Sequence, residues 1–279
     1  MIDLDYLENI LATKIISTEK LNGGSEGETY LIIDDSSRKY IYKTDSEELI
    51  TMQGEFYKTY SNSSFLPEII YSNPKEGHLI ISYIDQNKSV IYNKGNLLKE
   101  LLGKFILHYK EIESPFYGFL SKYIQGATYS DFLKTQAKEA YQRIDSELGP
   151  DSLQEVLDLI TDVYTDDSFS RKYLLHGDLG FHNISHTENN ITGIIDPDPI
   201  AGHPIYDLLF MFCSRPWQFN PDDLDELLKQ LSKVFPVNLS NSRSYLKIAL
   251  FKRISSCKKH HPNDLDEYLK IWKSLGSVK

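Results

Sequence analysis

HGDLGFHN, residues 176–183, is the stretch that decides how this chain is read. Its His-x-Asp-x-x-x-x-Asn pattern puts a carboxylate, Asp178, and a carboxamide, Asn183, on one short loop. Phosphoryl transfer asks for that pair: a carboxylate to receive the proton of an acceptor hydroxyl, and an amide oxygen to hold magnesium. Thirteen residues past Asn183, the apolar pair Ile194-Ile195 ends in Asp196, which would hold the same ion from the other side. Magnesium is a hard cation that takes octahedral oxygen ligands and keeps several waters, so one Asp, one Asn and the phosphates of a nucleotide suffice. The transferred group passes through a loose transition state, which leaves the protein to position the acceptor and neutralise charge. Asp178, with an ordinary carboxyl pKa of about 3.9, is too weak a base to strip an alcohol early; it orients the hydroxyl and takes the proton late. Singly, His-Gly-Asp also suits a polar turn, and Ile-Ile-Asp a buried strand ending in a helix cap. The joint spacing of Asp178, Asn183 and Asp196 selects a kinase-like catalytic loop.

The chain around this loop has 279 residues, 41% hydrophobic and 25% charged, enough for two lobes that share a cleft. Its start lacks the basic and apolar regions of a secretory signal, and no apolar run nears the ~20 residues that span a bilayer, so a cytoplasmic protein without a membrane partner is expected. Cys213 and Cys257 have no zinc-ligand spacing and cannot build a disulfide framework. A net charge of -10 argues against a nucleic-acid partner and suits a cationic substrate, although solubility alone also accounts for it. A monomer or weak dimer is expected.

Proline and glycine at Pro67, Pro74, Gly77, Pro115, Gly118 and Gly149-Pro150 punctuate the chain, and no repeat or heptad seam is present. Residues 3–12 read as a short helix, 13–21, 29–34 and 38–43 as strands, 47–60 as a helix, and 68–72 and 78–84 as two further strands. After about residue 90 the period becomes helical: 96–112, 131–148, 152–164, 222–235, 242–256 and 263–275 are predicted helices. The expected fold is α+β and bilobal, with residues 1–86 a nucleotide-binding sheet lobe carrying one helix, and 87–279 a helical lobe with the catalytic loop and the acceptor site.

Asn22-Gly23-Gly24-Ser25-Glu26-Gly27 lies between the first two strands, where Gly24, Ser25 and Gly27 would let backbone amides approach nucleotide phosphates. A plain hairpin turn is the alternative, because Glu26 adds a negative charge there. Lys43, sixteen residues after Gly27, stands where a kinase-like lysine meets those phosphates. An ammonium inside a lobe needs a partner; of Glu47, Glu48 and Glu55 the last is favoured, being more than a helical turn away. Backbone groups of Ser82, Tyr83 and Ile84 would form the hinge that reads the nucleotide base.

Five stretches carry a resemblance: GGSEGETYLI from residue 23, Lys43, LGKFILHYKEIESPFYGFL at 102–120, HGDLGFHNI at 176 and GIIDPDPIAGHPIYDL at 193. In these the chain resembles the aminoglycoside phosphotransferase and choline-kinase-like superfamily, small-molecule kinases that share the protein-kinase fold. The resemblance implies that Asp178 is catalytic, that Asn183 and Asp196 bind Mg2+, that ATP or GTP is the donor, and that Asp207 braces the loops; a plain helix cap is the other role open to Asp207. His176 is expected to hold the catalytic loop. Gly177 replaces the arginine of protein kinases, and Pro197-Asp198-Pro199 their mobile Phe-Gly. Only ten residues separate Asp196 from Asp207, too few for a peptide-docking segment, so a small-molecule acceptor is implied.

Arg215-Pro216-Trp217 is similar to antibiotic kinases of the hygromycin type. Asp222, Asp223, Asp225, Glu226, Asp264, Asp266 and Glu267 would receive substrate ammonium groups if they faced the cleft, and otherwise form a solvated helix face. His108 is expected to pack within a helix, His182 to line the loop, and His260-His261 to lie at the surface. The leading expectation is phosphorylation of an aminoglycoside or related cationic antibiotic. The alternatives are a metabolic kinase of the choline, fructosamine, methylthioribose or homoserine type, and an inactive nucleotide-binding pseudokinase.

Overall fold

The computed structural model describes residues 3–21, 27–86, 88–89, 91–121, 123–164 and 167–276. β1 (Ile15–Leu21), β2 (Glu28–Asp34), β3 (Lys39–Thr44), β4 (Ile69–Asn73) and β5 (His78–Ser82) form an antiparallel sheet in the order β1-β2-β3-β5-β4. Side chains two apart on a strand share a face. Ile32, Tyr40, Tyr42 and Ile80 therefore point one way, where they pack with Leu7 of α1 (Leu4–Leu11). Ile41, Leu79 and Ile81 point the other way, into the core that holds Ile50 and Phe56 of α2 (Glu47–Thr59). Lys43 has the parity of Ile41, so the strand period alone aims it at α2 and the rest of the molecule.

The second half is built from α3 (Lys94–Lys104), α4 (Tyr129–Leu148), α5 (Ser152–Val163), α6 (Ile205–Cys213), α7 (Pro221–Leu231), α8 (Ser242–His260) and α9 (Leu265–Leu275). α4 opens with Thr128 and Asp131 capping each other's backbone amides and packs on α5 and α8. Short strands fill the gap between helices and sheet lobe. β6 (Tyr117–Phe119), β7 (Gln125–Gly126), β8 (Tyr173–Leu175) and β11 (Ile200–Gly202) pair in the order β7-β6-β11-β8, and β9 (Ile184–His186) forms a hairpin with β10 (Ile191–Ile194). The arrangement is α+β and two-lobed, as the change of period predicts. Among the described residues no helix is long and apolar enough to cross a membrane.

Two departures from the sequence expectation shape the site. The leucine stripe predicts a helix to residue 112, but α3 ends at Lys104 and a 3-10 turn, Ile106–His108, follows. The break leaves His108 exposed, not packed in a helix, and turns Tyr109 inward. α6 was not expected at all: eight of its nine residues are buried, so it shows no polar face and no amphipathic period.

His203, just before α6, is 1% exposed among Phe169, Tyr173 and Phe235, and burial lowers its pKa to about 3. An unfolded histidine takes up its proton near 6.5, so between these values the unfolded state holds one proton more and stability falls as pH drops. We expect His203→Asn to flatten the decline in unfolding free energy between about pH 6.5 and 4 by up to about 1.4 kcal/mol per pH unit, as read from urea melts. An unchanged slope would place the proton uptake elsewhere.

Candidate active site

β8 delivers the chain into His176-Gly177-Asp178 with the backbone already constrained. His176 N and Gly177 N donate to the two oxygens of Asp207, at 2.8 and 3.0 Å, and Tyr109 adds its hydroxyl at 2.6 Å. Asp207 is fully buried in the first turn of α6; burial pushes its carboxyl up to about 6, against the pull of these three donors. Asp207 thus braces the loop and makes no side-chain cap for its own helix. The His176 ring is also fully buried. Burial lowers its pKa to about 4, and its Nδ1 accepts from Asp178 N at 3.3 Å, which leaves Nε2 to donate to Ile195 O at 2.9 Å. His176, proposed from sequence beside Asp178, therefore orients the loop from behind and does not face the cleft.

Gly177 has φ +82, and a Cβ there would lie 1.8 Å from Asp198 O. That crowding arises because Asp198 N donates to His176 O at 2.9 Å, so the two functional loops run backbone against backbone. No side chain fits at this position.

Asp178 is partly exposed, and His182 Nε2 sits 3.0 Å from its Oδ2. Burial pushes its carboxyl upward, but the hydrogen bond and charge of His182, with His176 and Lys252 beyond, hold it below the usual carboxylate range. The Asn183 amide nitrogen donates to Asp178 O and Oδ2, both at 2.9 Å. Its nitrogen is thereby spoken for, and its oxygen is the atom left to meet a cation. Asn183 O in turn accepts from Ile195 N at 3.0 Å, which sets Asn183 beside the residue that precedes Asp196. Asp196 adopts φ +55, a left-handed conformation that Asp tolerates better than most residues, and its side chain is half exposed. Among the described residues no three His, Cys, Asp or Glu side chains form a metal cage. One carboxylate and one amide oxygen, with room for phosphate and water, still suit magnesium.

From the sheet lobe, Lys43 Nζ is ion-paired with Asp196 and lies 3.4 Å from Gln53 Oε1, while Gln53 Nε2 donates to Pro197 O at 3.1 Å. This corrects the expectation for Glu55. Glu55 is exposed, whereas Gln53 stands on the inner face of α2, two positions earlier, and links Lys43 to the metal loop. The hinge expectation also changes. Ser82 N donates to Glu68 O at 2.9 Å and Tyr83 N to Lys39 O at 3.3 Å, so the sheet uses both amides. Ile84 follows them and packs against Gly193, where a Cβ would meet it at 2.2 Å. Gly24 and Ser25 lie outside the described residues. Gly27 is described, and its missing side chain makes room for Thr44 O, which a Cβ would meet at 2.2 Å.

The remaining sequence candidates sort by position. Arg215 stacks on Tyr92 and Phe181, at 5.3 and 5.2 Å, and Trp217 Nε1 donates to Tyr92 at 3.1 Å, so this motif supports the catalytic loop from outside. Glu226 pairs with Lys99 at 2.8 Å, Glu267 with Lys270 at 2.5 Å, and Asp225 accepts from Ser242. These acids form a solvated face and do not line the cavity between α4 and α8. His260 and His261 are exposed. That cavity, about 230 Å³, is bounded by Phe119, Tyr123, α4 and α8. Tyr123 donates to Asp198 at 2.7 Å, and Lys252 of α8 is hydrogen-bonded to Tyr206. Sequence reasoning missed Gln53, Tyr123 and Lys252, which stand in no motif, and Tyr109, which lies in the quoted 102–120 stretch but was given no role there.

Two lobes with a lysine, an aspartate and an amide converging at their junction define a kinase-type phosphotransferase. The family model described as the phosphotransferase enzyme family, APH, matches residues 17–235, and the chain belongs to that family. It is a small-molecule kinase. No curated protein matches it in sequence. Among solved structures it is similar to an aminoglycoside phosphotransferase, APH(4)-Ia, in a ternary complex with ADP and hygromycin B, at 15% identity and TM-score 0.62 over 99% of both chains. It is also similar to APH(2")-IIa in a complex with streptomycin and ATP, at 17% identity and TM-score 0.62 over 99% of both chains. A third is a provisionally named fructosamine-3-kinase from Thermobifida fusca, at 12% identity and TM-score 0.61 over 97% of this chain and 98% of that one. These likenesses show the protein-kinase-like fold of the aminoglycoside phosphotransferases.

Proposed function

We propose that this kinase moves the γ-phosphoryl group of ATP or GTP, with Mg2+, to a hydroxyl of a small molecule bound beside Asp178. The observation that carries the reading is the hydrogen-bonded pair Asp178 and Asn183, tied through Ile195 N to the neighbourhood of Asp196, which is ion-paired with Lys43. The lobes divide near residue 86, and the nucleotide lies between them. Bound magnesium would be held by Asn183 and Asp196 and would neutralise charge on the phosphate oxygens. Lys43, now paired with Asp196, also serves the phosphates. Asp178 accepts the hydrogen bond of the acceptor hydroxyl and aims its oxygen in line. As the new oxygen–phosphorus bond forms and the bond to the bridging oxygen of the nucleotide breaks, the nucleoside diphosphate departs and the proton passes to Asp178. The depressed pKa of Asp178 keeps it ionised and ready to accept at neutral pH.

Calorimetry with AMP-PNP tests the metal assignment. Asp196→Ala is expected to weaken binding at least about tenfold in magnesium and to match the parent protein in EDTA. Metal-dependent binding that survives the substitution would remove Asp196 from the site.

For the acceptor, neighbours bound to hygromycin B and streptomycin favour an antibiotic, and the fructosamine-kinase neighbour a metabolic sugar derivative. The cavity lining supports the metabolic reading: the acid-rich segments expected to receive ammonium groups stand elsewhere, and three cations line the wall.

A further inference from the structure

The acceptor cavity carries a charge opposite to that of the protein. A chain of net charge -10 lines this one space with Arg143, Lys252 and Lys259 against a single lining carboxylate, Glu139. Two lining residues tie it to the functional loops: the Tyr123 hydroxyl donates to Asp198, and Lys252 feels the charges of Asp178 and Asp198. Arg143 reaches Ser255 at 3.3 Å and, like Lys259, has no ion pair among the described residues. Both cations therefore hold unspent charge.

Lys252 decides between ligand classes. Its ammonium lies over three rings, Tyr206 at 4.4 Å, Phe210 at 5.4 Å and Phe119 at 5.8 Å. Such a group of aromatic faces is what a choline-like quaternary ammonium seeks, and here the protein's own cation fills it. A polyamine fares no better, because its ammonium groups would approach the wall of like charge. Gln136 adds an independent sign of a ligand: it is 6% exposed, its amide nitrogen donates to Tyr206 at 3.0 Å, and its oxygen has no partner among the described residues. A buried acceptor without a donor on the wall of a cavity calls for a hydroxyl or N–H from the occupant.

We propose that the acceptor bears an anionic group, a carboxylate or a phosphate ester, besides the hydroxyl that is phosphorylated, and that Lys252 and Arg143 recognise it with Lys259 at the rim. The hydroxyl points to Asp178, the anion to α8 and α4, and a second donor of the ligand meets Gln136. This rests on the kinase reading above and names the substrate class of the same site.

A charge-graded series of one shape tests it: 3-(hydroxymethyl)benzoate, 3-(hydroxymethyl)phenyl phosphate, neutral 3-(hydroxymethyl)benzamide and cationic 3-(hydroxymethyl)benzylamine, each titrated calorimetrically into full-length protein loaded with Mg2+ and AMP-PNP. The anions are expected to bind about tenfold or more tightly than the amide, and the amine least tightly. The tighter anion distinguishes carboxylate from phosphate. Lys252→Met and, separately, Arg143→Gln should each erase most of the anion preference while leaving AMP-PNP affinity unchanged, and two variants guard against one that fails to fold. Preference for the amine, equal binding across the series, no binding at millimolar concentration, or an anion preference that survives both substitutions would each overturn the proposal. Failure of the protein to take up Mg2+ and AMP-PNP would instead overturn the kinase reading beneath it.

Discussion

Asp178→Ala is expected to lower turnover about a thousandfold or more while leaving the affinity for magnesium nucleotide within a few-fold of the parent protein. The separation follows from the hydrogen bonds. Asn183 loses one of its two anchors, the Asp178 carboxylate, but keeps the backbone oxygen of the same residue at 2.9 Å, so its own oxygen remains aimed at the metal. His182 loses its partner and only the acceptor hydroxyl is left without a guide. Single-turnover rates with a responsive acceptor, measured beside AMP-PNP calorimetry, give both numbers. Near-normal turnover in the variant would strip Asp178 of its role, and parallel loss of both would mean that the loop had collapsed.

Removing Asp207 should do the most damage to the fold. In Asp207→Ala the amides of His176 and Gly177 and the hydroxyl of Tyr109 lose a shared buried acceptor together. Each stranded donor costs about 1–3 kcal/mol, so a loss of about 3 kcal/mol or more is expected in urea melts. Asp207→Asn should recover little of it, because the amide NH2 would face a backbone donor. A stability within about 1 kcal/mol of the parent would show that water or a rearranged loop replaces the carboxylate.

The two loops were legible in the sequence because phosphoryl transfer fixes residue types at short spacing. Asp178, Asn183 and Asp196 lie within nineteen residues, and the structure gathers them. Lys43 was legible from its place on the third strand, sixteen residues after Gly27, and strand parity with Ile41 sends it inward. Its helical partner was not, since a spacing argument weighs carboxylates and the position went to Gln53. That the amides of Ser82 and Tyr83 go to the sheet was not legible either, because an apolar strand does not announce where its hydrogen bonds end. α6 escaped notice by being apolar all round, and α3 seemed longer than it is because Phe105 and Ile106 continue the leucine stripe through a break. The wall of the cavity proposed for the acceptor was illegible in principle. Gln136, Arg143 and Lys252 come from α4 and α8, more than a hundred residues apart, and only packing brings them together. Overall charge could not place these cations either: the sum says nothing about where its members stand.

The close approach at Gly177 has a regulatory corollary. Protein kinases place an arginine there and use it to sense a phosphate on a movable segment; here the carbonyl of Asp198 occupies the space that any side chain would need. The loop of Asp178 and the loop of Asp196 therefore run backbone against backbone, with no room for a side chain between them at this point. An arginine at this position would have to displace that carbonyl, so this one route of phosphate-sensing control is closed to the loop.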